Sequence, residues 1–452
     1  MWHANVLREY GLFDAMVPRY TSYPPANRFE HGVGARFQTE WMSTVNSERP
    51  VSLYVHIPFC RRLCWFCACR TQGTQTRAPV EQYIKVLRHE ISVVARDLLP
   101  KGISMARLHL GGGTPTLLSP ALLTDLLDCI STGFPPTDDF EFSVEIDPTE
   151  APAEVLEVLA QRDLARASVG VQDFAPRVQK AIGRMQSFEV TRDVVIKLRR
   201  SGLQSLNVDV LYGLPYQSRE SLLETLSQVV SLGPDRIALY GYAHVPHMSK
   251  RQVMIPSDAL PSAERRFELS QAARDQLIKD GYHALGIDHF AMPYDSLKIA
   301  ADQGRMSRNF QGYTDEPCET LIGFGVSAIS KFPQGYLQNA VSTSAYTQRV
   351  RATGLAAHKG ILLSHDQCFK AAMINDVMCQ GILDAKKLSR AFPDRESELS
   401  AILDNLMIYF PDLLVRHGSV VSIREGLFAA ARLIAAHLDQ ARQDGDKYSM
   451  AI

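Results

Sequence analysis

The sequence predicts an α/β chain built on a partial (β/α)6 barrel, and three observations support this. Six short runs rich in β-formers recur, each followed by a stretch of helical periodicity, and that alternation specifies a parallel sheet flanked by helices. Six units instead of eight leave the barrel open on one side, with function expected at the C-terminal ends of its strands. The pattern breaks near Leu285 and turns helical again after about Ser364. At 452 residues the chain is also too long for one ordinary core. The expected division is an N-terminal strap (1–48), the barrel with its extension (49–363) and a small, mainly helical C-terminal domain (364–452).

The strands are expected at 51–57, 105–110, 141–146, 166–171, 205–211 and 236–240, and the helices at 80–98, 120–130, 153–161, 188–200, 221–231 and 263–280. In the first helix Ile84, Leu87, Ile91 and Val94 recur at three- and four-residue steps. Ser119 before Pro120 is a helix start, an N-cap followed by proline in the first turn. From 285 onward glycines and aromatics dominate, as in Gly286-Ile287-Asp288-His289-Phe290 and Asn309-Phe310-Gln311-Gly312-Tyr313-Thr314. Near the end, an amphipathic run at 399–409, two short runs flanking His417-Gly418-Ser419, and a helix at 427–438 resemble a winged helix.

A composition of 46% hydrophobic and 21% charged residues belongs to a globular protein. A net charge of −1 and no concentrated basic stripe argue against a nucleic-acid role for the C-terminal domain. No apolar run approaches a bilayer span, and residues 1–9 lack a charged-then-apolar export signal. The cytoplasm is the expected compartment and a monomer the expected state.

Chemistry concentrates in His56-Ile57-Pro58-Phe59-Cys60-Arg61-Arg62-Leu63-Cys64-Trp65-Phe66-Cys67-Ala68-Cys69, directly after the first strand. The C-x3-C-x2-C spacing of Cys60, Cys64 and Cys67 supplies three thiolates. Structural zinc takes four ligands in a closed tetrahedron, which here needs Cys69 through an awkward C-x-C step. Disulfide frameworks belong to small secreted chains. An iron–sulfur cube can be held at three irons with the fourth left open. The spacing resembles that of radical S-adenosylmethionine (SAM) enzymes. Cys129, Cys318, Cys368 and Cys379 stand singly and are expected as small buried hydrophobes.

The later strand ends are also unusual. Gly111-Gly112-Gly113-Thr114 follows the second strand. It lacks the Lys-Ser/Thr ending of a phosphate loop and suits a cradle for the amino group of SAM, with a plain tight turn as the alternative. Glu145 ends the third strand, where a carboxylate can take two hydrogen bonds from a ribose diol; a solvated loop acid is the plainer reading. Gln172 and Asp173 end the fourth strand, and Asn207 and Asp209 lie on the fifth. Polar groups inside a barrel need partners, so this set is expected to line a ligand site. Arg184 suits bidentate pairing with a carboxylate, though a surface position is commoner for arginine.

Together these motifs resemble the oxygen-independent coproporphyrinogen III oxidase family of haem biosynthesis, over essentially the whole chain. The resemblance rests on Pro18-Arg19-Tyr20-Thr21-Ser22-Tyr23-Pro24, Tyr54-Val55-His56-Ile57-Pro58-Phe59-Cys60 and the four-cysteine loop. Gly-Gly-Gly-Thr-Pro-Thr, Val171-Gln172-Asp173-Phe174, Tyr212-Gly213-Leu214-Pro215, Tyr242-Ala243-His244 and Asn309–Thr314 complete it. The segment after Cys69 and Met292 depart from the family pattern. The resemblance implies a radical SAM barrel with a [4Fe-4S] cluster held by Cys60, Cys64 and Cys67, and two SAM per chain. Tyr54, Gly112, Glu145 and Ile329 would contact the SAM on the open iron. Phe66, Gly113, Thr114, Gln172, Arg184, Asp209 and Ala243 would hold the second, and Cys69 would be required without being a ligand. The implied reaction is oxidative decarboxylation of two propionates of coproporphyrinogen III to vinyls, served by an external electron donor and acceptor. A related tetrapyrrole enzyme and a haem chaperone on the same barrel are the alternatives. Arg19–Tyr23 and Arg308–Gln311 are expected to meet the substrate's carboxylates, with the strap closing the open side.

Overall fold

The computed structural model of the chain describes residues 2–316 and 318–439, without the side chain of Trp2. Residues 440–452 of the expected C-terminal domain therefore lie outside the described residues, as do Met1 of the strap and Pro317 of the extension. Six strands, β1 (Val51–Ile57), β2 (Met105–Gly112), β3 (Pro136–Ile146), β4 (Leu164–Gln172), β5 (Ser205–Tyr212) and β6 (Arg236–Gly241), pair in parallel and in chain order. They are followed in turn by the helices Ala78–Leu98, Pro120–Gly133, Ala153–Gln161, Phe188–Arg200, Arg219–Ser231 and Ala263–Lys279. Ser119, Ser187, Ser218 and Ser262 each cap the next helix by accepting a backbone N–H three residues on, worth about 1 kcal/mol apiece.

The strands alternate in a way that leaves one face of the sheet open. In β5, Leu206, Val208 and Val210 are buried, while Ser205, Asn207 and Asp209 on the other face are half-buried. In β4, Ala167, Val169 and Val171 are buried and Ser168, Gly170 and Gln172 are not. The buried face packs on Leu87, Ile91, Leu126 and Leu226 of the helices in one large core. A closed barrel fills its interior with bulky apolar layers; here the interior face carries Tyr54, His109, Ser143, Glu145, Ser168, Asn207 and Asp209, all half-buried.

The glycine- and aromatic-rich extension adds strands to both edges, which the sequence reading did not place. They are β7 (His283–Leu285), β8 (His289–Ala291), β9 (Leu321–Phe324), β10 (Ile329–Phe332), β11 (Gly335–Asn339) and β12 (Ala357–Leu362). The sheet thus has twelve strands in the order β12-β11-β10-β9-β1-β2-β3-β4-β5-β6-β8-β7. β9 lies parallel to β1 and the other added pairs are antiparallel. Strands of three to six residues are too short to show a period, so they escaped a reading built on periodicity.

The C-terminal domain carries the expected hairpin, β14 (Leu414–His417) with β15 (Val420–Ile423), and a third strand, β13 (Ile382–Asp384), on its other side. The expected helices are Glu396–Tyr409 and Ala431–Leu438; His365–Gln380 and Ala385–Ala391 are additional. The strap is divided in its packing. Leu7, Leu12, Phe13, Val17, Tyr20 and Tyr23 share a core with Phe369, Met373, Leu403 and Ile434 of the C-terminal domain, whereas Trp41 and Met42 of the helix Ala35–Ser43 belong to the barrel core.

Candidate active site

The cysteine loop leaves the C-terminal end of β1 and is closed at its base by a two-residue parallel pairing of Phe59–Cys60 with Gln72–Gly73. Gln72 N donates to Pro58 O at 2.7 Å and Thr74 N to Cys60 O at 3.0 Å. All four thiols of the loop are free, Cys64 buried, Cys60 and Cys67 half-buried and Cys69 exposed. Among the described residues, no three His, Cys, Asp or Glu side chains converge on a point where one ion could be held. An iron–sulfur cube takes one thiolate at each iron. A hydrogen bond from Cys69 draws the Cys67 thiol below its ordinary value, helped by the charges of Arg251 and Arg184. Burial pushes Cys60 up to about 11. Of the single cysteines only Cys379 is buried; Cys129, Cys318 and Cys368 are half-buried, which corrects the expectation for those three.

Arg184 is a buried residue, not a surface one. Its Nη1 donates to Asp147 Oδ2 at 2.9 Å and to Cys64 Sγ at 3.5 Å, and Nη2 donates to Gly170 O at 2.8 Å. One side chain thereby ties the cysteine loop to the ends of β3 and β4. A second tie comes from the short helix Lys250–Met254 after β6. Gln252 Nε2 donates to Phe66 O and to Ala243 O at 2.8 and 3.1 Å. Ser249 Oγ donates to Cys67 O at 3.0 Å and Arg251 Nη2 to Thr71 O at 2.5 Å. The sequence offered no signal for this tie, because its partners are main-chain carbonyls some 180 residues away.

The glycine turn packs closely on its neighbours. A Cβ on Gly112 would lie 2.6 Å from His56, and one on Gly113 2.5 Å from Phe59 O. The space beside these glycines is filled by β1 and the cysteine loop, and Gly112 additionally has φ +110, a conformation side chains avoid. Gly113 N donates to Ile57 O and Thr114 N to Phe59 O. The glycines therefore let β2 press against the cysteine loop, and the Thr114 hydroxyl bonds the Cys60 thiol.

Inside the barrel, Gly112 N donates to Glu145 Oε2 at 3.0 Å and His109 Nε2 lies 3.4 Å from Oε1. Burial alone would raise the Glu145 carboxyl, but these bonds outweigh it and hold it below its usual value. Its side chain keeps 41% of its surface accessible, so this is a strand-end carboxylate open to the interior, not a loop acid. Tyr54 stacks on His109 at 5.8 Å, and its hydroxyl lies 2.9 Å from His56 Nδ1. Asp209 accepts from Ser168 Oγ at 3.1 Å and from Asn207 Nδ2 at 2.8 Å. Burial first, then the charge of Glu145, raises it to about 6. Gln172 sits at φ +71 at the bulged end of β4, a strained position for a residue with a side chain. Phe66, partly buried, packs on the cluster that holds Ile182, Leu214 and Tyr242. Ile329 opens β10, two residues after Ser327 at φ +60.

Arg184 Nε and Asn207 Oδ1 are buried without a hydrogen-bond partner. Unmet polar atoms around an open interior suit a polar ligand, and with three thiols on one loop the residues fit a cluster carrying a nucleoside cofactor.

Residues 54–229 match the Radical SAM superfamily. The chain is 45% identical, over all 452 residues and the full length of each relative, to proteins of Cereibacter sphaeroides and Paracoccus denitrificans named oxygen-independent coproporphyrinogen III oxidase. Its fold is similar to the solved coproporphyrinogen III oxidase of Escherichia coli, described as a radical SAM enzyme, with a TM-score of 0.89 at 34% identity. The match covers 95% of this chain and 100% of that one.

Proposed function

The chain belongs to the oxygen-independent coproporphyrinogen III oxidase family of radical SAM enzymes, and on that premise we propose that it converts two propionates of coproporphyrinogen III to vinyl groups, giving protoporphyrinogen IX. The observation that carries the reading is an open, polar barrel interior facing a loop with three thiols at C-x3-C-x2-C. Each propionate gives up a hydrogen atom from its β-carbon, carbon dioxide and one electron, so an external electron donor and acceptor are partners. With a [4Fe-4S] cluster and SAM bound, the cofactors supply one-electron cleavage of the sulfonium and a hydrogen-abstracting 5′-deoxyadenosyl radical.

The protein's own contribution is to hold and orient these groups. Cys60, Cys64 and Cys67 are the cluster ligands, and Cys69 stays outside that set. Tyr54, Gly112, Glu145 and Ile329 face the first SAM. Glu145 is kept ionised by His109 and the Gly112 N–H, which suits a carboxylate that accepts from a ribose diol. A second SAM lies against Phe66, Gly113, Thr114, Gln172, Arg184, Asp209 and Ala243. The protein works as a monomer in the cytoplasm on this reading; among the described residues no helix is long and apolar enough to cross a membrane.

The test is anaerobic incubation of the reconstituted protein with SAM, a reductant and coproporphyrinogen III. Protoporphyrin fluorescence after oxidation of the product is the expected result. Uncoupled SAM cleavage without vinyl product would overturn the reaction, and haem transfer to an apo-protein would replace it with a chaperone role.

A further inference from the structure

Three arginines from separate segments gather beyond the C-terminal ends of β5 and β6. Arg19 of the strap is exposed, and its Nη2 donates to Gly241 O at 3.1 Å. Arg266, from the helix after β6, lies against the same glycine: a Cβ on Gly241 would be 3.5 Å from its Nη2, and one on Gly213 3.0 Å from its Nε. Arg308, in the extension, donates to the Tyr313 hydroxyl at 2.9 Å and lies over that ring at 4.3 Å. Tyr313 is edge-on to His289, and His289 to Tyr240 of β6. Arg432 of the C-terminal domain backs the group, donating to Val17 O and Pro18 O beside Arg19.

This charge is met only in part locally: against burial, Asp288 is held below its ordinary value first by His289 and then by the charges of Arg308 and Arg19. Among the described residues, Arg19, Arg266 and Arg308 form no ion pair. The Nε atoms of Arg266 and Arg308 are buried without a partner. The nearby carboxylate, Asp288, is bonded at 2.8 Å to His289. Burial, then the charges of Arg19 and Arg308, draws Arg432 down to about 9, the direction expected where cations crowd. Half-buried guanidinium groups without an ion pair, here Arg266 and Arg308, are costly unless an anion arrives, and their planar fork suits a carboxylate.

We propose that Arg19, Arg266 and Arg308, backed by Arg432, form a carboxylate-binding site that receives propionates of the tetrapyrrole at the mouth of the barrel. Resting on the reaction proposed above, it gives the strap, the extension and the C-terminal domain one shared task. Tyr240 of β6 is within electrostatic reach of Arg308 as well as of Asp209 and Glu145, so a macrocycle anchored here by its acid rim presents its remaining propionates to the interior.

The probe is coproporphyrin III, the oxidised tetracarboxylate, titrated anaerobically by absorbance against the cluster- and SAM-loaded protein, with its tetramethyl ester as control. Arg266→Gln and Arg19→Gln should each weaken coproporphyrin III binding about tenfold or more and leave the ester's affinity unchanged. Arg266→Lys, which keeps the charge, should recover part of the loss and guards against a merely misfolded variant. Equal binding of coproporphyrin III by wild type, Arg266→Gln and Arg266→Lys would overturn the site, even with turnover intact. Wild type that binds coproporphyrin III through these arginines without forming vinyl product would overturn the reaction and leave the site standing.

Discussion

Gln252 Nε2 lies 2.8 Å from the carbonyl oxygen of Phe66, 186 residues earlier in the chain, inside the cysteine loop. Its Oε1 accepts from Val245 N at 2.5 Å, and the residue is 1% exposed. Every polar atom of this side chain is therefore used to fix the loop against the segment after β6. Replacing Gln252 by Leu strands Phe66 O, Ala243 O and Val245 N, each at about 1–3 kcal/mol. The expected outcome is a folded chain with lowered Tm whose reconstituted protein loses more than half its iron on desalting. Wild-type iron retention would make the tie incidental.

The four cysteines of the loop should separate into two kinds. Cys60→Ser, Cys64→Ser and Cys67→Ser are each expected to abolish the reconstituted cluster absorbance, and Cys69→Ser to keep much of it while losing activity. Cys69 donates to Cys67 and is the exposed thiol of the loop. Loss of the cluster in Cys69→Ser with retention in Cys67→Ser would reverse the assignment.

Arg184 joins Asp147 and Cys64, so Arg184→Ala leaves a largely buried carboxylate alone, at a cost of about 3 kcal/mol. If the residue also holds the second SAM, the SAM bound at equilibrium should fall from two to one per chain, with cluster absorbance retained. Two SAM at unchanged affinity in both Arg184→Ala and Asp209→Asn would rule out the second position.

Asp209 predicts a pH dependence. Its folded value, about 6, lies above its ordinary 3.8, so the folded chain keeps a proton there that the unfolded chain has released. Stability attributable to Asp209 is therefore greatest below about 4 and declines as pH rises to about 6. A cation is bound best by the ionised form, so affinity for the second SAM should rise as pH passes from 5 to 7. Asp209→Asn should flatten that profile; an unchanged profile in the variant would place the titration elsewhere.

The βα repeats, the cysteine spacing and the polar residues at strand ends were legible in the sequence because each has a short period or a fixed spacing. Asn207 and Asp209, two apart on a strand, face the same side by geometry alone, and both line the interior. What escaped depends on distant partners. Arg266 sits in a helix of ordinary amphipathic character and reaches the site only because that helix follows β6. Gln252 binds carbonyls, which carry no side-chain signature. The glycines at the end of β2 were legible as a constraint, while their close packing by His56 and Phe59 was not.

Beyond their shared core, the strap and the C-terminal domain meet at a buried carboxylate. Asp439, fully buried, accepts from Tyr20 Oη at 3.2 Å, Tyr23 Oη at 3.1 Å and both Nη atoms of Arg28 at 3.1 and 3.2 Å. Removing one partner of a buried ion pair costs about 3–5 kcal/mol, and here it also releases two tyrosine hydroxyls. Deleting 1–24 would instead strip Leu7, Leu12, Phe13 and Val17 from a shared core, so a truncation confuses lid with foundation. Asp439→Ala is the sharper variant. It should expose the chain around Arg19–Arg28 to trypsin while the barrel stays intact, retain cluster and SAM binding, and raise the SAM cleaved per vinyl formed, since a loosened strap no longer shields the interior from water. Faster proteolysis with fully coupled turnover would show that the strap braces the C-terminal domain and does not close the site.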